Sequence, residues 1–451
     1  MRNLDDRNRI CFGLGTVGRD MFYSFEANTI LYFLSDVLNL QVWEFAAVSM
    51  ILSVLRIFDA FNDPITGLVI DNIRSPWGKF KPAILVGGLL STVFFILLFA
   101  GIGTGWTFIL IFGAAYLLWD ITFGINDIGY WTLLPAMTSD QKQREKMGTF
   151  ARLCANIGAY IVMLAWQPVT SAMGDTKQAW FLVACVIAVV YMAGLLFPLL
   201  GVKEKRESAT EQEGTTIRQM VRALLGNDQL MWTALSMGLF MVGNCTTINF
   251  AVYYMKYIFG NEGMYVILVA VVGVSQLSTL AAYPAVAAKM DRKKLYSLAT
   301  MLVIAGYVLF FIAEISIALI IVGAVLVFVG QAFIQILMLM FLADTVEYGH
   351  WKLGKRNESI TFSIQPLINK IGGALATGVV SMTLLISGIK VDGGTADVIN
   401  TAGKLTVKGA MFVLPLAMIV AGYIIYLKKF RISEAFYAEI LKDLEERKEK
   451  A

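Results

Sequence analysis

The sequence predicts an all-α membrane protein with twelve transmembrane helices in two bundles of six. Three observations predict it. Of 451 residues, 57% are apolar and only 16% are charged, and mean hydropathy is +0.68. A soluble fold of this size has too few charges to cover that much apolar surface. Twelve stretches reach the roughly 20 apolar residues that a spanning helix needs. The basic residues fall on alternate connections, as the positive-inside rule requires.

The twelve stretches cover 10–37, 44–71, 83–102, 107–136, 148–172, 178–200, 229–257, 263–288, 295–313, 317–342, 359–388 and 406–427. Between the sixth and seventh lies a polar segment containing KEKRES and TEQEG. The expected organisation is therefore an N-terminal bundle over 1–200, a cytoplasmic central loop over 201–228, a C-terminal bundle over 229–428 and a cytoplasmic tail over 429–451. In the tail, Phe436, Ile440 and Leu441 recur at helical spacing, which predicts a helix lying on protein or lipid. The segment 343–359 is expected to be a polar cytoplasmic loop.

Orientation follows from Lys and Arg. The termini and the five connections that share their side hold 28 of the 37 basic residues, whereas the opposite side holds only Lys177, Lys390, Lys404 and Lys408. Both termini are thus expected in the cytoplasm, in a bacterial plasma membrane. An internal repeat supports the division into halves. Pro64 precedes Asp71 by seven residues and Pro284 precedes Asp291 by seven, each Asp being followed by basic residues. Parallel repeats of this kind build carriers from two related halves. Asp71 with Arg74, and Asp291 with Arg292, are expected to act as ion-pair latches beside the cytoplasm.

Several function classes are excluded at this stage. There is a single histidine, His350, and no nucleophile motif, so hydrolytic triads and multi-histidine metal centres are out of reach. Cys11, Cys154, Cys185 and Cys245 lie in apolar stretches without CxxC spacing and are expected to be reduced packing residues. Nucleic-acid binding is excluded by composition, and no cofactor is expected. The glycines of GLGTVG at 13–18 open a membrane helix with no preceding strand, which points to helix packing rather than to a phosphate loop.

The charges inside the apolar stretches carry the functional information. Each costs about 2.5–3.5 kcal/mol at the bilayer centre, so it must face a polar cavity or another charge. The first stretch holds Arg19, Asp20 and Glu26, the second Arg56, Asp59 and Asp63, the fourth Asp120 and Asp127, the fifth Arg152 and the eleventh Lys370. Asp59, Asn62 and Asp63 share one helical face and offer hard oxygen ligands to Na⁺, or a carboxylate to a proton. An ion pair of Arg56 with Asp59 is the structural alternative. Asp127 and Trp131, at i and i+4, present an acceptor and an indole together, the pairing that a sugar needs for its hydroxyls and its C–H face. Asp20 and Arg152 are expected to complete that site from other helices, unless the charges only hold the bundle together. Lys370 is expected to find a carboxylate partner among the excess acids of the first half, or to snorkel to the cytoplasm.

RIFDAFNDPITGLVIDNIRSPWGKFKP at 56–82 resembles the signature of the glycoside–pentoside–hexuronide:cation symporters, a branch of the major facilitator superfamily typified by the bacterial melibiose carrier. GRDM at 18–21, NDIGYW at 126–131, FARL around Arg152, ADTVEYG at 343–349 and ESITFSIQPLINKIGG at 358–373 match the same family in the same order. The resemblance runs from about residue 10 to 430. It implies the major facilitator fold and a carrier that imports a sugar or glycoside by symport with Na⁺, Li⁺ or H⁺ through alternating access, working as a monomer in the lipid bilayer. It assigns Asp59, Asn62 and Asp63 to the cation, with Asp59 and Asp63 as metal ligands if sodium is the coupling ion. It assigns Asp20, Asp127, Trp131 and Arg152 to the sugar and places Lys370 near both. Glu26, an added acid, is expected among the substrate-binding residues. Gly124 and Asp120 stand where the typical member has Thr and Gly. A cation-coupled carrier of an amphipathic substrate such as a lysolipid is the alternative within transport, and a membrane enzyme or non-transporting sensor is the alternative outside it.

Overall fold

A computed structural model describes the chain except residues 1, 39, 72–74, 79, 139–140, 204–224, 314–315, 355–357, 392–393, 396–398 and 450–451. The described residues form α1 (Arg2–Tyr32), α2 (Val42–Asp71), α3 (Lys81–Ala100), α4 (Gly105–Met137), α5 (Gln141–Ala172) and α6 (Lys177–Leu196). They continue with α7 (Asp228–Tyr253), α8 (Met264–Ala287), α9 (Arg292–Ile312), α10 (Ile317–Leu353) and α11 (Glu358–Ile386). The twelfth helix, α12, runs through Thr401–Lys408, a π-helical turn at Gly409–Val413 and Leu414–Lys429. A tail helix, α13, follows at Glu434–Glu449. Ten helices among the described residues are long and apolar enough to cross a membrane. The other two of that length, α1 and α2, carry the ionisable side chains discussed below. The only strands among the described residues are Lys390–Val391 (β1) and Gly394–Thr395 (β2), an antiparallel pair between α11 and α12.

The chain divides into two compact units. The first comprises Met1–Gly214 with Gly388–Asp397, the second Thr215–Ser387 with Val398–Ala451. Within the first, α1 packs on α5 and α6, α2 on α4, and α3 on α4 and α6. Within the second, α7 packs on α11 and α12, α8 on α10, and α9 on α10 and α12. Adding six to each helix number of the first set gives the second, so the repeat seen in the sequence recurs in the packing.

Helix ends follow from local chemistry. Thr176 caps α6 by accepting from the Ala179 N–H at 3.2 Å, and Asn227 caps α7 by accepting from Leu230 at 3.0 Å. Helix α3 stops at Gly101, whose φ of 55° suits glycine. The Lys177 ammonium donates to the Gly101 carbonyl at 2.6 Å. None of the four cysteines is in a disulfide.

The glycines of the 13–18 segment serve packing. A Cβ at Gly18 would lie 2.7 Å from the Val190 carbonyl oxygen of α6. On the other side of α1, a Cβ at Gly158 of α5 would overlap the Val17 carbonyl. Helix α1 is therefore held between two backbones at glycine distance, and its rotation is fixed. We expect Gly158→Leu to destabilise the carrier by about 1–3 kcal/mol through overpacking. A clear fall in the unfolding temperature of the purified protein checks this, and an unchanged temperature would mean that the α1–α5 contact is not tight. Aromatic rings fill the rest of this core, with Phe22 stacked on Tyr191 at 4.2 Å between centroids and beside Phe95 at 4.0 Å.

The segment expected to be a loop from residue 343 is instead helical as far as Leu353, about the last three turns of α10. Its polar side chains have partners, so the helix continues. Asp344 accepts from Arg292 at 2.9 and 3.2 Å, and Tyr348 donates to Asp228 at 2.9 Å. Helix α13 packs on this extension through Ile440 and Leu444, both buried with Tyr348 and Ile432, while Leu441 is exposed. Trp351 Nε1 donates to Asp443 at 2.6 Å. The tail helix thus lies on protein.

Candidate functional site

Helix α1 brings Arg19, Asp20 and Glu26 into the first unit, and α4 brings Tyr116, Asp120, Asp127, Tyr130 and Trp131. Arg19 is the centre of the first polar cluster. Its guanidinium donates to Asp127 Oδ1 across the helix pair and to Asp20 Oδ2 at 3.0 Å. The same guanidinium lies 4.9 Å from the Trp131 ring centroid and 5.0 Å from that of Tyr130. Phe12 packs on both rings, and Tyr130 donates its hydroxyl to the Phe12 carbonyl. The burial is graded. The Arg19 side chain is 5% exposed, Asp20 23% and Asp127 41%. The cation is therefore sunk beneath its acids, and carboxylate oxygens remain accessible above it beside an indole. Arg19 Nε is buried without a hydrogen-bond partner.

The arginine at this cluster is Arg19 rather than the expected Arg152. Arg152 sits on α5 with an exposed side chain and takes no part in the Arg19 pairs. The sequence contained the missing signal, since Arg19 adjoins Asp20 and lies in an apolar stretch. Choosing between two arginines needed the rotation of α1, which its glycine contacts set.

A second polar cluster lies further along the same helices. Glu26, expected among the substrate acids, is instead 1% exposed and forms an ion pair with Arg56 of α2 at 3.3 Å. Arg56 Nε also donates to the Tyr116 hydroxyl of α4 at 3.1 Å. The arginine thus joins α1, α2 and α4. Asp59 lies one turn beyond Arg56, and a Cβ at Gly124 of α4 would sit 3.9 Å from Asp59 Oδ1. Asp120, one turn before Gly124, is buried. Asn62 is half-buried on α2, and the side chain of Asp63 lies outside the described residues. Among the described residues, no three or more His, Cys, Asp or Glu side chains are close enough to hold a metal ion.

In the second unit, Lys370 is half-buried on α11. Of the two expected latches, Arg74 and the side chain of Asp71 lie outside the described residues. Asp291 is the N-cap of α9, accepting from the Lys293 N–H at 3.4 Å, and the partner of Arg292 is Asp344 of α10. A cavity of about 540 Å³ lies beside that pair, lined by Arg292, Asp344, Tyr426 and Arg431 among others, and it contains none of the expected substrate or cation residues.

With the fold and the clusters described, comparison with known proteins decides the family. A sequence model described as "MFS/sugar transport protein" matches residues 11–434. The chain belongs to this family. It has the major facilitator fold of twelve helices in two bundles, and it is a multi-pass membrane carrier rather than an enzyme. The lactose permease of Lactobacillus delbrueckii subsp. bulgaricus is 33% identical over 97% of this chain and 72% of that protein. The raffinose carrier protein of Pediococcus pentosaceus is 32% identical over 97% of this chain and 71% of its own. Among solved structures, one titled for substrate recognition in proton-dependent oligopeptide transporters superposes with a TM-score of 0.65 at 14% identity, covering 97% of this chain and 100% of the other. A nucleoside transporter gives a TM-score of 0.61 at 15% identity, covering 96% and 100%. These structural likenesses speak to the fold alone. The resemblance that the motifs suggested, to the glycoside–pentoside–hexuronide:cation symporters, agrees with the family.

Proposed function

We propose that this protein imports a neutral oligosaccharide, of the lactose or raffinose kind, by symport with a monovalent cation. The observation that carries the reading is the Arg19 cluster, in which a buried guanidinium fixes two carboxylates beside an indole and leaves Asp127 accessible. Fixed carboxylate oxygens accept sugar hydroxyls, and the Trp131 face covers the C–H side of a ring. Because Arg19 already holds these acids, they need little reorganisation when the sugar arrives. A lysolipid would require a wide apolar cleft for its acyl chain, whereas this cluster supplies acceptors and an aromatic face suited to a polyol.

Asp59, with Asn62 and Asp63, is the cation site, taking Na⁺, H⁺ or Li⁺. The Glu26–Arg56 pair lies one turn before it, with Arg56 also donating to the Tyr116 hydroxyl. Cation and sugar sites share α1 and α4, so ordering of one favours the other, and by linkage each ligand raises the affinity for its partner. The loaded carrier then exposes its sites to the cytoplasm by alternating access. Both termini face the cytoplasm, since 28 of 37 basic residues lie on their side. The carrier acts as a monomer in a bacterial plasma membrane and uses no cofactor.

Uptake of labelled lactose, raffinose and monosaccharides into cells expressing the carrier, with and without Na⁺ at fixed pH, tests this. The reading requires saturable uptake of at least one oligosaccharide and its competition by unlabelled sugar. Uptake of none of them, together with uptake of a lysolipid, would contradict it.

A further inference from the structure

We propose that the cavity of about 540 Å³ in the second unit binds a phosphate-bearing anion, either a soluble phosphate ester or the headgroup of an anionic phospholipid. The cavity contains none of the residues assigned to sugar or cation, so the inference goes beyond the transport reading and does not depend on it.

Three parts of one unit enclose it: the start of α9, the stretch of α10 around Asp344, and the chain that leads from the end of α12 into α13. Five charged side chains line it, namely Asp291, Arg292, Lys293, Asp344 and Arg431. Both acids are already engaged. Asp291 accepts from the Lys293 N–H at 3.4 Å as the cap of α9, and Asp344 accepts from Arg292 at 2.9 and 3.2 Å. Arg292 makes both bonds through Nη1. Its Nη2 and Nε, the Lys293 ammonium and the Arg431 guanidinium have no hydrogen-bond or ion-pair partner among the described residues. Ser433 Oγ accepts from the Phe436 N–H at 3.2 Å, so its hydroxyl hydrogen is left to donate.

The donors choose the ligand. They come from separate segments and are guanidinium, ammonium and hydroxyl groups. A tetrahedral phosphate offers oxygens in several directions at once, and arginine forks and lysine point charges are the groups that hold it. A bare phosphate would leave most of the cavity unfilled, since this volume is that of a small-molecule site. The remaining wall is aromatic. Tyr426 stacks on Phe341 at 4.5 Å and on Phe430 at 5.0 Å between centroids, a surface for the organic part of an ester or headgroup. Basic pockets between helices at a membrane's cytoplasmic side are also where anionic headgroups dock. Charges that served only to orient the chain would need a surface, with no cavity and no aromatic wall.

Calorimetric titration of the purified, delipidated carrier in a non-ionic detergent tests this. Glucose-6-phosphate serves as the soluble ester, dioctanoyl phosphatidylglycerol as the lipid, and glucose as the control without phosphate. At least one phosphate probe is expected to bind. Lys293→Gln together with Arg431→Gln is expected to weaken that binding roughly tenfold or more. Both side chains are exposed, so the double variant loses no buried contact, and its unfolding temperature without probe checks that it is folded. Binding of the ester alone assigns the cavity to a soluble ligand, binding of the lipid alone assigns it to a headgroup, and binding of both supports the shared chemistry. Binding of neither, glucose binding as tightly as its phosphate, or affinity unchanged in the double variant would each overturn the proposal.

Discussion

Asp127→Ala is expected to remove sugar binding while leaving a folded carrier. A hydrogen bond to a charged group contributes about 1.5–3 kcal/mol, so losing the Asp127 carboxylate lowers sugar affinity roughly ten- to a hundredfold. The substitution also takes one of two acidic partners from the buried Arg19, and an uncompensated buried charge is itself destabilising. Asp127→Asn separates the two effects. It keeps the side chain's shape and one acceptor oxygen for Arg19 but loses the negative charge. Equilibrium binding of labelled sugar, read beside thermal unfolding, checks both variants. Wild-type affinity in a folded Asp127→Ala protein would place the sugar elsewhere.

The second large effect concerns coupling. Asp59→Cys is expected to abolish uphill accumulation, so that internal sugar rises only to the external concentration, while exchange of labelled for unlabelled sugar continues. Asp59 lies on α2 beyond Arg56 and beside Gly124, outside the Arg19 cluster, so its loss leaves the carboxylates around Arg19 in place. The change removes the cation's ligand without removing the sugar's. Accumulation and exchange assays on the same vesicles distinguish this outcome from simple inactivation. Undiminished gradient-driven accumulation would exclude Asp59 from the coupling site.

The fold was legible in the sequence because a bilayer imposes long apolar stretches and a charge bias on its connections. Both signals survive without any knowledge of packing. The end of α10 was not legible, because ADTVEYGHWKL has the composition of a loop. It is helical because Arg292, Asp228 and the apolar stripe of α13 supply partners that lie far away in sequence. The same division applies to the sites. Asp127 and Trp131 share a face by helical periodicity alone, and the structure places both at Arg19. Which cation meets them depends on how α1 and α5 are rotated, and close backbone contacts at Gly18 and Gly158 decide that. Glu26 illustrates the same limit. Its position seven residues after Arg19 keeps it on the same face of α1 but two turns further along, and only the approach of α2 assigns it to Arg56.

The most direct measurement is sugar accumulation by the purified carrier in proteoliposomes, driven by an imposed inward gradient of H⁺ or of Na⁺. Cation-coupled import predicts a transient internal sugar concentration above the external one with at least one of these gradients, collapsing when an ionophore dissipates it and absent from the Asp59→Cys protein. Internal sugar that never exceeds the external level under either gradient would contradict it.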